Sequence, residues 1–194
     1  MAPSAGGKTT VLSHLADAFG VSLSTCAKCD GAIFRDFHDQ YRLICENGVA
    51  NHGLWYNAWP AAKSVVQRAK KEVLRLAMAR KQELVVSETG AELENLTSLV
   101  AELQKNGYKV SLLGIFADPR SIMERGIARE IIDGKLYNRS LKKLKATFQN
   151  FGKAIALVDG SFKIVHPGIR KQGLRMWKIS IGLGPWGMEV YDGQ

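Results

Sequence analysis

The chain is short of cysteine, of acidic residues and of long apolar runs, and each shortage excludes a class of protein. Three cysteines, Cys26, Cys29 and Cys45, are a small and odd number for 194 residues. They make no disulfide framework, so reduced thiols are expected. Cys26 and Cys29 spell C-x-x-C, but a structural zinc site needs a second pair of ligands at similar spacing, and His38 and Cys45 supply it poorly. No run of about eighteen apolar residues occurs, and Met1 is followed by a loop rather than by a basic segment and an apolar stretch. Neither a spanning helix nor a secretory leader is visible, and the expectation is a cytoplasmic protein without membrane contact. No internal repeat is apparent. With 46% hydrophobic and 23% charged residues, the length suits one globular core.

Eighteen acidic residues face 27 basic ones, a net charge of +9. That balance favours anionic partners, whether nucleotides, phosphates or nucleic acid. The basic stretches "KSVVQRAKKEVLRLAMARK", "RSLKKLKATF" and "GIRKQGLRMWK" lack the aromatic-rich strand signature of an RNA binder. Solvated helix faces account for them, and nucleic acid is not the expected partner.

Apolar spacing predicts a helix over Thr9 to Phe19, with Val11, Leu12, Leu15, Ala16 and Phe19 on one stripe and Gly20 as its stop. A short strand is expected at Val21 to Thr25, then a helix through "CDGAIFRDFHDQYRLI", where Phe34, Phe37, Tyr41 and Ile44 keep helical spacing. The Gly- and Asn-rich "ENGVANHGLWYNAWP" reads as a loop. A helix from Pro60 to Lys81 follows, then a strand at Glu83 to Val86, a helix from Ala91 to Asn106 ended by Gly107, a strand at Val110 to Phe116 and a helix from Arg120 to Ile132. Ser140 to Phe151 reads as a basic helix, and "IALVDGSFKIVHPG" as one or two more strands. Residues 166–194 show no clear period and are read as a tail after a kinase-like domain over residues 1–165.

This alternation predicts an α/β protein, a P-loop NTPase-like three-layer αβα fold with a mostly parallel sheet. In such sheets ligands gather beyond the carboxyl ends of the strands, where Asp30, Glu88 and Asp118 are expected. The opening "MAPSAGGKTT" supplies the reason for a ligand. In Gly-x-x-x-x-Gly-Lys-[Ser/Thr], backbone N–H groups curl round phosphates, the lysine neutralises their oxygens and the hydroxyl holds Mg²⁺. Gly7 matches the second glycine, Lys8 the cation and Thr9 the metal hydroxyl, while Ala5, Gly6 and Thr10 complete the cradle at a helix N-terminus. Ala2 stands where the first glycine belongs. Only Met1 precedes it, so the strand that normally feeds such a loop is missing, and the expectation is a truncated or mispredicted version of a longer protein.

Phosphoryl transfer also needs charge neutralisation and a group to orient or deprotonate the acceptor. Asp30 is a candidate proton acceptor, with helix capping as the alternative. Glu88 and Thr89 are candidates for acceptor or metal contact, again with capping as the alternative, and Asp118 before Pro119 looks like turn chemistry. Arg125 and Arg129 share a helix face and Arg139 follows the loop "DGKLYN". Three arginines so placed suit a lid over triphosphate oxygens, because the guanidinium fork stays charged and binds phosphate at two points. A surface ion-pair lattice with Glu124 and Glu130 is the alternative.

Four blocks in order, "PSAGGKTT", "DGAIFRDFHDQY", "ELVVSETGAELENLTSLVAELQKNGYKV" and "LLGIFADPRSIMERGIARE", resemble the zeta toxin family of P-loop kinases across most of residues 3–150. The resemblance implies ATP- or GTP-dependent phosphorylation of a small hydroxyl compound, for bacterial toxins the sugar of UDP-N-acetylglucosamine, with Mg²⁺ as cofactor. It implies that Lys8 and Thr9 bind nucleotide and Mg²⁺, that Arg35 contacts substrate and that Arg125 and Arg129 line the phosphate side. The family's acceptor-activating aspartate sits two residues before Phe-Arg, and that position is Ala32 here, so Asp30 would have to substitute. An antitoxin-like protein partner goes with the family but is not visible in the sequence. Two other readings stand beside the kinase: a catalytically impaired nucleotide-binding or interaction protein, favoured by Ala2 and Ala32, and a basic nucleic-acid binder, supported by net charge alone.

Overall fold

The computed structural model describes residues 1–16, 19–48, 58–137, 139–170, 173–184 and 187–192. In chain order the elements are α1 (Lys8–Leu15), β1 (Ala27–Cys29), α2 (Gly31–Asp36), α3 (Asp39–Gly48), α4 (Ala58–Ala79), β2 (Leu84–Val86), α5 (Leu93–Lys105), β3 (Leu112–Ile115), α6 (Pro119–Asp133), α7 (Leu141–Ile155), β4 (Phe162–Arg170), β5 (Gly173–Gly184) and β6 (Gly187–Asp192). They divide into two compact units. One comprises Met1–Gly20, Glu88–Ile122 and Ser140–Gln194, the other Val21–Ser87 and Met123–Arg139.

The first unit holds the sheet β3-β4-β5-β6, in which β4 pairs parallel to β3 and the last two steps are antiparallel. The main chain of Met1 and Ala2 joins this framework. The Met1 nitrogen donates to Leu113 O, Ile115 N donates to Met1 O at 2.9 Å, and Ala2 N donates to Glu88 O at 3.1 Å. Ala2, Val11, Ile115 and Val165 form one buried cluster, and Leu96, Val100, Leu112 and Ala154 another. Burying a side chain such as Val11 or Ile115 stabilises by about 1.5–3 kcal/mol. Gly114 lets α7 approach β3, since a Cβ there would lie 3.3 Å from Ile164 and 3.4 Å from Phe151.

In the second unit β1 and β2 pair in parallel, from Ala27 opposite Leu84 to Cys29 opposite Val86. Helices α2, α3 and α4 bury Tyr41, Ala58, Ala62 and Val66, with Phe34, Cys45 and Trp59 packed against them. The three cysteines are free thiols, and burial pushes each of them up from its ordinary value, so they stay protonated.

Several expectations are corrected. The strand expected at Val21 to Thr25 is a turn, in which Thr25 N and Cys26 N both donate to Ser22 O and the Ser22 and Ser24 hydroxyls bond at 2.8 Å. Three small hydroxyl residues there compete for local backbone bonds, and the strand starts later, at Ala27. The single helix expected after Asp30 is two helices, because His38 Nδ1 accepts from Tyr41 N at 3.2 Å and starts α3 afresh. Phe37, at the break, is 83% exposed. Helix α1 reaches its cap at Ala16 rather than Phe19, and residues 17 and 18 lie outside the described ones, as does most of the expected loop, residues 49–57. Ile155 ends α7 rather than opening a strand, and the stretch without a period carries the end of β4 and the strands β5 and β6. Helix α5 stops where the sequence predicts: Gly107 adopts φ +84, and Tyr108 N closes onto Leu103 O at 3.1 Å.

Candidate active site

The loop before α1 is built by backbone conformation. Ala5 and Gly7 take φ of +62 and +85, and Gly6 N donates to Pro3 O at 3.0 Å, curling the chain back on itself. Gly6 has to be glycine, because a Cβ there would lie 2.9 Å from Pro3 O and 3.2 Å from the Ala2 methyl. At Gly7 the constraint is the positive φ, since a Cβ would meet nothing within 4 Å. Lys8 Nζ donates to Ala2 O at 2.9 Å and to Pro3 O at 3.0 Å, which places the ammonium within the curve of the loop. Ala2 fits where the motif has glycine: it avoids the left-handed region, and its fully buried methyl packs with Val11, Ile115 and Val165.

These residues fit a Mg²⁺-nucleotide. Gly7 caps α1 without a side-chain hydrogen bond, so no side chain competes for the N–H groups of the first turn, which carry the positive end of the helix dipole. Thr9 and Thr10 are exposed on that turn. Among the described residues no group of three or more His, Cys, Asp or Glu could hold a metal. A Mg²⁺ ion here would lean on the Thr9 hydroxyl and phosphate oxygens, the usual arrangement for this hard, reluctantly dehydrated cation.

Glu88 and Thr89 also belong to the first unit, with Glu92 and Asn95 among the residues lining a polar cavity of about 140 Å³. The N-cap of α5 is Glu92, so the capping alternative for Glu88 and Thr89 does not describe their geometry. Asn150 holds the cavity wall by donating to Gly90 O at 2.9 Å. Asp118 caps the start of α6 by accepting from Ser121 N at 2.8 Å. That bond, chiefly, holds its carboxyl below the usual carboxylate range.

The remaining candidates lie in the second unit. Asp30 is the N-cap of α2, its Oδ1 accepting from Ala32 N at 2.8 Å. Arg35 is only 7% exposed, its guanidinium carbon 5.9 Å from the Tyr41 ring and 5.7 Å from the Trp59 ring. Burial works against its charge, but Tyr41 and Asp133 outweigh that, and its pKa is raised. Its Nη1 is buried without a hydrogen-bond partner among the described residues.

The three arginines of the expected lid divide. Arg129 Nη2 contacts Asp133 at 3.1 Å, and Arg139 Nη2 contacts the buried Glu130 at 2.8 Å, so both take part in ion pairs within this unit. Arg125 differs: its Nε and Nη2 are buried with no hydrogen-bond partner among the described residues. Buried donors of a charged group are costly to leave unmade, and an anionic oxygen would satisfy them.

Sequence reasoning missed the residues that organise this cluster. Tyr41 OH donates to Asp133 O, Tyr137 OH donates to an Asp133 carboxylate oxygen, and Lys135 lies 4.5 Å from the Tyr137 ring centroid. One signal was available. Gly126 sits mid-helix, where glycine costs about 1 kcal/mol against alanine, and its place is explained by the Tyr137 ring lying against it.

A glycine-shaped loop at a helix N-terminus, on an α/β frame with parallel strand pairs, defines the P-loop kinase fold. Within it, the family model described as Zeta toxin matches residues 1–180, and the chain belongs to the zeta toxin family. A solved structure from the characterization of the PezAT chromosomal toxin-antitoxin system of the human pathogen Streptococcus pneumoniae superposes with a TM-score of 0.62, at 16% identity, over 90% of this chain and 68% of that one. No curated protein sequence matches the chain. Among the described residues no helix is long and apolar enough to cross a membrane.

Proposed function

We propose that the chain binds ATP or GTP with Mg²⁺ and transfers the terminal phosphoryl group to a hydroxyl of a small molecule, with a UDP-amino sugar as the first acceptor to test. The observation that carries this reading is the phosphate loop, with Lys8 drawn onto the carbonyls of Ala2 and Pro3 and the first turn of α1 uncapped by any side chain. Lys8 and the N–H groups after Gly7 hold phosphate oxygens, and Thr9 supplies a hydroxyl to Mg²⁺, which when bound neutralises charge developing on the transferred group. In the second unit Arg125, whose Nε and Nη2 have no partner among the described residues, is the candidate for binding an anionic oxygen. Arg35, Glu88 and Thr89 serve the acceptor, and an antitoxin-like protein is the expected macromolecular partner.

Acceptor activation is the weak step, and one observation favours a second reading. Ala32 offers no carboxylate, and Asp30 already spends Oδ1 on the Ala32 N–H. Asp30 can take the acceptor proton only by its other oxygen or by opening the cap. A nucleotide-binding protein with slow or absent transfer is therefore the alternative.

Calorimetry with Mg-ATP on the full chain and on Lys8→Ala separates these readings. Binding that weakens at least tenfold in Lys8→Ala supports a working loop. Subsequent phosphorylation of UDP-sugars supports the kinase, and binding without transfer supports the impaired descendant. Absence of binding in the unaltered chain overturns both.

A further inference from the structure

Among the described residues two other than glycine take positive φ, Ala5 at +62 and Lys81 at +53. Lys81 has a local reason. It follows α4 where the helix stops, with Lys81 N donating to Met78 O and Gln82 N to Ala77 O, both at 3.0 Å. That pair of bonds closes a helix C-terminus and holds a left-handed residue in place. Ala5 ends no helix. It stands in the turn that leads into α1, two residues before the N-cap Gly7. The left-handed region is costly for alanine, whose Cβ crowds the following carbonyl oxygen, and open to glycine. Two glycines follow at once, yet the residue at the first reversal carries a methyl.

Such strain persists only where neighbouring contacts over-determine the conformation. Three hydrogen bonds do so here. Gly6 N donates to Pro3 O at 3.0 Å, and Lys8 Nζ donates to Ala2 O at 2.9 Å and to Pro3 O at 3.0 Å. All three draw the chain after Ala5 back onto the residues before it. The carbonyls they use are fixed, because Ala2 N is tied to Glu88 O and the Ala2 methyl is fully buried against Val11, Ile115 and Val165. The bend is therefore a balance between a strained backbone on one side and a lysine anchored to a rigid wall on the other.

We propose that the loop is a two-state element in which the Ala5 methyl opposes the bent form and Lys8 holds it, so that Ala5 limits affinity for a phosphate-bearing ligand. The bent form gathers the loop and the first-turn N–H groups of α1 into a cradle. A relaxed form, with Ala5 returned to negative φ, does not. A ligand that binds one form alone is weakened by the share of molecules in the other. Ala5 is thus a positioning residue that acts through the backbone it bends. The effect on affinity rests on the nucleotide reading above, whereas the balance within the loop does not.

Hydrogen exchange of the Gly6 N–H, followed by nuclear magnetic resonance on the full chain without nucleotide, reads the ratio of bent to relaxed loop. In Ala5→Gly that ratio should rise roughly threefold to tenfold. In Lys8→Ala, which removes both side-chain ties, it should fall. Lys81→Gly, which relieves the other left-handed residue, should leave it unchanged. Equal ratios in the parent and Ala5→Gly overturn the assignment, and so does an equal rise in Lys81→Gly, the mark of general stabilisation.

Calorimetry with Mg-ATP tests the consequence. Ala5→Gly should bind at least about twofold more tightly than the parent, following the gain in the bent share. A raised ratio with unchanged affinity means that the strain costs stability without limiting binding, and it overturns the proposed role. If the parent itself does not bind Mg-ATP, the nucleotide reading fails, and the exchange ratios alone decide whether Ala5 opposes the bend.

Discussion

The two units place charge by opposite means. In the first, the loop before α1 is made by backbone: Ala5 and Gly7 supply positive φ, Gly6 a close approach, and Lys8 ties onto carbonyls five and six residues away. In the second, the arginines are placed by side chains from separated segments: Tyr41 from α3, Trp59 from α4, Asp133 and Glu130 from α6, and Tyr137 beyond it. A backbone cradle needs a short run of suitable residues. A side-chain cluster needs the helices to be packed first, so its failure should appear as lost stability as well as lost binding.

The sharpest way to test that contrast is Gly6→Ala. One methyl against Pro3 O should abolish Mg-ATP binding in calorimetry while the thermal midpoint of the chain changes little. A large fall in stability instead would mean that the loop is part of the core. Arg35→Ala should do the reverse, destabilising by about 3 kcal/mol through loss of a buried charge among aromatic rings and beside Asp133, whereas Arg35→Met, which keeps the volume, should lose far less. Urea unfolding of the two variants measures this, and equal losses would show that the charge matters more than the packing.

The smallest expected effect is at Asp118, whose carboxyl is held below its ordinary value by the Ser121 N–H. A lowered folded-state pKa means that the bond contributes fully above the ordinary carboxylate value of about 3.9 and is lost as pH falls through the lower folded value. Asp118→Asn should therefore narrow the gap to the parent in unfolding curves taken below about pH 4. Asp118 is exposed, so the gap is small throughout, and a difference that persisted unchanged into strong acid would contradict the cap.

Legibility followed the range of the interactions. The curled loop at Gly6 and Gly7 could be read because its backbone geometry is local, and Gly107 because a helix stop is a matter of one residue's φ. The capping role of Asp30 and the turn chemistry of Asp118 were readable for the same reason, since each bonds to an N–H two or three residues on. The turn at Ser22 and the break at His38 were lost because apolar spacing is blind to side chains that bond to nearby backbone. Tyr137, in a stretch that reads as a loop, gave no sign of reaching back eleven residues to Gly126.

What the sequence determined by itself is an α/β chain with a glycine-rich loop before its first helix, acids at strand ends and arginines one turn apart, because these depend on residue type and on contacts within a few positions. Only the tertiary structure decided which arginine keeps unused donors. Arg125, Arg129 and Arg139 are equivalent as letters. They differ because Asp133 and Glu130 lie where two of them can pair, while the buried Nε and Nη2 of Arg125 have no hydrogen-bond partner among the described residues. Charge pairing is set by distance and burial, and those are fixed only when the helices pack.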